Sequence, residues 1–213
     1  SAPAGGDGSA RRPFSTISQA AALAMPGDTV QIGDGVYREW VRPRNGGLGN
    51  NQRITYCSAP GAHPVVSGAE LLERWTHDRG QVWRAEADNA LFGSYNPYAD
   101  EIFGDWYDGL GQAHHTGEVF LNGEALYEAA SLAALYEPPA SPEKALRWFA
   151  QSEGSRTVFY AVFGGQDPNG GCVEISVRPF CFFPQQTGLN YITVRGLTFC
   201  QAATQWAPPT AFQ

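Results

Sequence analysis

The sequence predicts an all-β protein, the capped end of a parallel β-helix with a β-sandwich inserted into it. Three observations carry this reading. Residues 27–39, GDTVQIGDGVYRE, set two short strands on either side of a tight Gly-Asp-Gly turn with no helix between. That is the spacing of two rungs of a parallel coil. An apolar helical pattern stands directly before them, where a stacked coil needs its open edge and apolar cross-section covered. The middle of the chain then changes character, to longer alternating strands punctuated by hairpin turns. With 25 Gly, 15 Pro, 6 Trp, 9 Tyr and 12 Phe among 213 residues, composition also favours a turn-rich, aromatic-rich β protein over long helices.

The elements follow in order. Phe14, Ile17, Ala21 and Ala24 fall near helical spacing, so a cap helix is expected over 14–25, with Ser15 as its N-cap. Short rungs follow at 53–57 and 64–67, separated by the turn-forming SAPGAHP. These make up a first region, residues 1–70. The inserted sandwich is expected over 71–180. In it, Trp75 and Trp83 flank the polar turn HDRG, and 118–124, EVFLNGE, runs a strand into an Asn-Gly turn. Residues 157–163 and 172–177 alternate on either side of GGQDPNGG and read as a second hairpin with a long loop. Residues 143–149 read as one short helix. Coil character returns in 181–213, where 190–200 alternates strand, Gly, strand. No second cap is evident, which implies one part of a longer polypeptide and a sheet edge open to association between copies.

Charge narrows the partners. The formal charge is -7 with no basic run, which excludes nucleic acid and anionic membrane surfaces as natural partners but does not repel a neutral sugar. No apolar run approaches the length of a membrane span. Cys57, Cys172, Cys181 and Cys200 show no CxxC spacing and read as free thiols in a reducing compartment. A cytoplasmic location is therefore expected. Secretion stays open, because the chain starts as if inside a domain and a leader would not be seen. His114 and His115 are adjacent, point to opposite faces of any strand, and read as a loop pair rather than as metal ligands. No cofactor is expected.

Two segments look unlike scaffold. Residues 92–98, FGSYNPY, and 102–107, IFGDWY, are dense in aromatics and turn formers. Sugars present an apolar face and a rim of hydroxyls, which an indole and a set of carboxylates and amides can cover. Trp106, Asp105, Tyr98 and Asn96 supply those groups. The second segment is 202–210, where Pro208 and Pro209 rule out a central strand and would hold Trp206 on a rigid loop. Asp7, Asp28, Asp34, Glu39, Glu118, Glu124 and Glu128 read as solvated turn residues, since nothing brings two of them onto one face as a glycosidase pair requires. No nucleophile elbow, zinc-protease, phosphate-loop or dinucleotide motif is present.

At these segments the chain resembles the N-terminal third of β-xylosidases of glycoside hydrolase family 120. The resemblance runs through AMPGD (24–28), GVYREWV (35–41), RITY (53–56), FGDW (103–106), LNG (121–123), DPN (167–169), VEI (173–175), YITV (191–194), AAT (202–204) and WAPPT (206–210). The early coil motifs are common to many β-helix enzymes, whereas FGDW followed by WAPPT is specific. The resemblance implies that the β-helix is right-handed and the sandwich immunoglobulin-like. It implies a retaining enzyme that releases xylose from xylo-oligosaccharides, with an aspartate nucleophile and a glutamate acid/base lying beyond Gln213 and no catalytic residue in this chain. It also implies that Trp106 lies at the sugar site. Two departures stand out: a short strand that precedes the position of Ser1 in the family is missing, and Phe212 replaces an acidic residue. The alternatives are a non-catalytic carbohydrate-binding module, or part of another β-helix glycosidase or a polysaccharide lyase; the acidic balance disfavours the lyase.

Overall fold

The computed structural model describes residues 5–104, 107–184 and 186–204. Helix α1 runs over Ile17–Leu23, shorter than the 14–25 expected from the apolar pattern. Ala24 leaves helical geometry with ψ 131°, two residues before Pro26, whose ring disfavours helix in the residue before it. The N-cap is Thr16, not Ser15. Its hydroxyl accepts from the Gln19 N–H at 3.2 Å, and the Gln19 side-chain oxygen accepts in return from the Thr16 N–H, a reciprocal capping box. Ser15 lies one residue outside and donates its own N–H to the same Gln19 oxygen. Ile17, Ala21 and Ala24 are buried, as the spacing predicts.

Two rungs follow: β1 (Thr29–Ile32) with β2 (Val36–Arg38), then β3 (Ile54–Ser58) with β4 (Val65–Ser67). All pairings between rungs are parallel and in register, Thr29 beside Thr55 and Val36 beside Val65. Ile32, Val41, Ile54, Tyr56 and Val66 point inward and are buried. Glu39, just past β2, reaches back to α1, and its two carboxylate oxygens accept from the Ile17 and Ser18 N–H groups at 2.8 Å each. The sequence reading had Glu39 as a solvated turn residue; it is half-buried and holds the first turn of the cap.

The chain then builds β5 (Ala69–Leu71), β6 (Thr76–Arg79), β7 (Val82–Asp88), β8 (Val119–Leu121), β9 (Glu124–Ala125) and β10 (Tyr127–Glu128). Helix α2 (Leu132–Tyr136), β11 (Leu146–Glu153), β12 (Arg156–Phe163) and β13 (Val173–Ser176) complete this part. Two sheets result, ordered β10-β11-β12-β7-β6 and β5-β13-β8-β9, and all pairings but β10 with β11 are antiparallel. Ala85, Trp148 and Phe159 from the first sheet share one core with Val119, Val173 and Ile175 from the second.

Two expectations are corrected here. Residues 143–149 are not a helix. Only a short 3-10 turn forms at Pro142–Lys144, and Leu146 onward is strand, because eight residues of β11 pair with eight of β12. Tertiary pairing outweighs the helix propensity of Glu, Lys, Ala and Leu. Nor do 157–163 and 172–177 form a hairpin. Both edges of β12 are taken, by β11 and β7, so the chain turns away at Gly164 and Gly165, both with positive φ, and β13 joins the other sheet. The hairpin expected between Trp75 and Trp83 forms, but His77–Arg79 lie within β6 and its turn falls at Gly80-Gln81. The turn at Asn122-Gly123 forms as expected, and Asn122 (φ 53°) and Gly123 (φ 87°) both take the left-handed geometry of a tight two-residue hairpin loop.

Finally β14 (Ile192–Arg195) pairs parallel with β3, and β15 (Thr198–Cys200) with β4, adding a third rung. Contacts group the residues into two units: those up to Gly68 with Phe180–Cys200, and Ala69–Pro179 with those from Gln201 on. All four cysteines are free thiols. Among the described residues no helix is long and apolar enough to cross a membrane.

Glu39→Ala should destabilise the protein by about 2 kcal/mol, because two N–H groups of α1 lose a charged acceptor. Glu39→Gln should cost less, since the amide oxygen still accepts. Denaturant unfolding of both variants checks this, and an undiminished midpoint in the alanine variant would show that the carboxylate contributes nothing to the cap.

Candidate functional site

The aromatic segment that the sequence singles out is built on an arm of the second unit. Its two legs run side by side. The Gly117 N–H donates to the Pro97 carbonyl at 3.0 Å, the Thr116 N–H to Asp100 at 3.0 Å, and the Ile102 N–H to His114 at 2.7 Å. Between the legs, Phe103 is 73% and Leu110 89% exposed. Asp105 and Trp106 belong to this stretch by sequence and lie outside the described residues, as do Trp206, Pro208, Pro209 and Phe212.

Tyr98 and Asn96 are described, and both turn inward. Tyr98 is 3% exposed; its ring lies edge-on to Phe159 at 4.6 Å and to Trp148 at 5.5 Å, and its hydroxyl donates to the Glu118 carbonyl at 2.7 Å. Burial pushes the phenol well above its ordinary range. The Asn96 amide donates to Thr157 Oγ1 at 3.0 Å, while its oxygen accepts from the Tyr98 N–H at 3.0 Å. Thr157, wholly buried, passes its own proton to Asn89 Oδ1 at 2.7 Å.

Residues that sequence reasoning missed hold the base of the arm. The Tyr95 hydroxyl lies 2.5 Å from Thr116 Oγ1, 3.0 Å from the Ala203 carbonyl and 3.1 Å from Asp100 Oδ2. Its pKa is pushed up to about 12, chiefly by burial, so the phenol is neutral and has a single proton to give. Ala203 is itself buried, and its N–H donates to Arg178 at 2.9 Å. The next residue, Thr204, donates its hydroxyl to Pro179 at 3.0 Å. Just before, Gln201 takes φ 59°, a strained backbone for a residue with a β-carbon, and its amide donates to Glu174 Oε2 at 2.8 Å.

The outer leg has a second anchor. Glu128, read from sequence as a solvated turn residue, has a side chain only 10% exposed. One of its oxygens accepts from the His115 N–H at 2.9 Å, the other meets His115 Nδ1 at 2.5 Å, and His114 Nδ1 lies 3.4 Å away. His115 is raised above its ordinary 6.5, first by the hydrogen bond to Glu128 and against its burial. No local spacing signals either network, since the partners stand 21, 108 and 13 positions apart.

The first unit offers a contrast. A groove lined by Phe14, Val30, Ile32 and Tyr37 includes Asp7, Asp28 and Asp34. Each aspartate already accepts from a backbone N–H, those of Ser9, Met25 and His63. Three carboxylates committed to turns do not make a catalytic pair. Among the described residues no group of His, Cys, Asp or Glu is arranged to hold a metal ion.

Comparison with known proteins gives the class first. Residues 72–175, the antiparallel insertion with its arm, match the family model for the insertion domain of glycoside hydrolase 120. The chain resembles glycoside hydrolase family 120. The solved structure "The complex structure of XylC with xylose" matches 96% of this chain at 41% identity and a TM-score of 0.92. This chain spans 35% of that one. A second structure, described as "Glycoside hydrolase", matches at 14% identity and a TM-score of 0.49, covering 97% of this chain and 50% of that one; at that level it carries no argument. No curated protein matches.

Because the folded-state pKa of His115 is raised, the stability it contributes is full below its unfolded value of about 6.5 and is lost as pH rises through the raised value. The thermal midpoint of the wild type should therefore exceed that of His115→Gln more at about pH 6 than at about pH 9. A gap independent of pH would show that the Glu128 contact does not titrate.

Proposed function

We propose that this chain is the sugar-binding N-terminal part of a retaining exo-β-xylosidase. It would act on xylo-oligosaccharides, with the nucleophile and acid/base carboxylates supplied by polypeptide that these 213 residues do not include. One observation carries the reading: the 41% identity over 96% of the chain to XylC, a protein solved in complex with xylose. In this reading the three stacked rungs are the start of a right-handed parallel β-helix over 1–70 and 181–213. The two sheets sharing one core are an immunoglobulin-like sandwich over 71–180.

The reading assigns roles to the sequence candidates. Trp106 lies against the apolar face of the xylose ring and Asp105 accepts from a ring hydroxyl, while Trp206 closes the site from the 202–210 segment. Tyr98 and Asn96, whose polar groups are engaged inward, support the arm from beneath. The other partner is the remainder of the same polypeptide, whose further rungs would cover the open edges of β14 and β15, and copies of the protein could associate through the same edges. The four free thiols support a cytoplasmic location, with secretion as the alternative.

Xylose should quench or shift the tryptophan fluorescence of the chain. Trp106→Ala should weaken that binding by about fivefold to tenfold, the worth of one stacked indole, without moving the thermal midpoint. The isolated chain should not hydrolyse an aryl β-xyloside. Unaltered xylose binding in Trp106→Ala would defeat the assignment of that residue, and turnover abolished by Asp105→Asn would show that catalysis resides in this chain after all.

A further inference from the structure

In the second unit, the polar cluster around Tyr95 joins pieces of chain 108 positions apart. Thr116 and Asp100 face each other across the base of the arm, and Ala203 begins the approach to the 206–210 segment. None of these three is a sequence neighbour of another, and all meet one phenol oxygen within 3.1 Å. We propose that Tyr95 is a positioning residue for xylose binding: it couples the base of the arm, at Asp100 and Thr116, to the 203–204 segment. This rests on the reading of the two segments as sugar-binding.

The Tyr95 oxygen and Thr116 Oγ1 share a hydrogen bond in which either can donate; Thr116 Oγ1 also lies 3.3 Å from the Pro97 carbonyl and from Asp100 Oδ2, and the phenol faces the Ala203 carbonyl and the Asp100 carboxylate as acceptors. Phenylalanine keeps the ring and its packing but removes both the donor and the acceptor. The carbonyl of buried Ala203 and the hydroxyl of buried Thr116 then lose a partner at the same time. A residue that merely filled space would not link their behaviour. The Glu128–His115 contact anchors only the outer leg, so it cannot substitute for this link.

The test uses the chain as it stands, with xylose as the probe. Amide exchange is followed at Thr116, whose N–H donates to Asp100, and at Ala203, whose N–H donates to Arg178. Tyr95→Phe should raise exchange at both sites together, by about tenfold, and weaken xylose binding by a similar factor while the thermal midpoint stays within a few degrees. Thr116→Val, which removes the other partner and keeps the shape, should give the same paired loosening and guards against misfolding of the first variant. Exchange rising at one site alone, or at neither, overturns the coupling. Paired loosening with unchanged xylose affinity overturns the positioning role. If the wild type does not respond to xylose but the paired loosening persists, the coupling stands and the sugar-site reading is what fails.

Discussion

The second unit depends on one close approach. Gly117 lies so near the Tyr98 ring that a β-carbon there would meet it at 2.6 Å. Only glycine lets the returning leg of the arm pass over that ring. The ring in turn fills the space against Phe159, Trp148 and Phe92, and its hydroxyl is taken by the Glu118 carbonyl, one residue beyond Gly117. A single side chain thus closes the core that the two sheets share and fixes the place where the arm leaves and comes back. Everything farther out, including the Tyr95 cluster and the Glu128 anchor, is registered from this point.

Outward from that contact the forces change. Packing gives way to hydrogen bonds, then to exposed apolar side chains at Phe103 and Leu110. Buried polar links of the Tyr95 kind fix direction more than they add stability, because each replaces a bond to water. An arm held this way can be rigid at its base without being part of the core.

How much of this was legible in the sequence depends on the range of the interaction. The Asn122-Gly123 turn and the alternation of 157–163 are local signals, and both are realised. The short strands were legible because glycine and aspartate punctuate them at short intervals, but the turn at 33–35 joins two strands of one layer rather than two successive layers, since β1 pairs with β3 and β2 with β4. The strand at Leu146–Glu153 was hidden by good helix formers and is dictated by β12, which no local pattern reveals. The supposed hairpin across GGQDPNGG failed for the same reason, since which edge of β12 is free is a property of the whole sheet. Ser15 and Thr16 offer the same capping chemistry, and only the position of Gln19 decides between them. For the candidate site, composition drew attention to 92–107, but Tyr95, Thr116 and Glu128 have partners far away in sequence and leave no periodic trace.

The strands that bound the insertion have a consequence for how the chain folds. β4 and β15 are neighbours, with the Gly68 N–H donating to Cys200, yet the whole insertion separates them. Closing so long a loop from a disordered chain is slow and entropically unfavourable. But the first and last strands of the insertion, β5 and β13, pair with each other, Ala69 beside Ser176. Once the insertion has folded on its own, its two ends are already together, and the loop left to close shrinks to Gly68 on one side and residues 177–197 on the other. By the logarithmic dependence of closure entropy on length, that saves about 1.5 kcal/mol. The order of events follows: the third rung waits for the insertion, and a ribosome delivers them in that sequence.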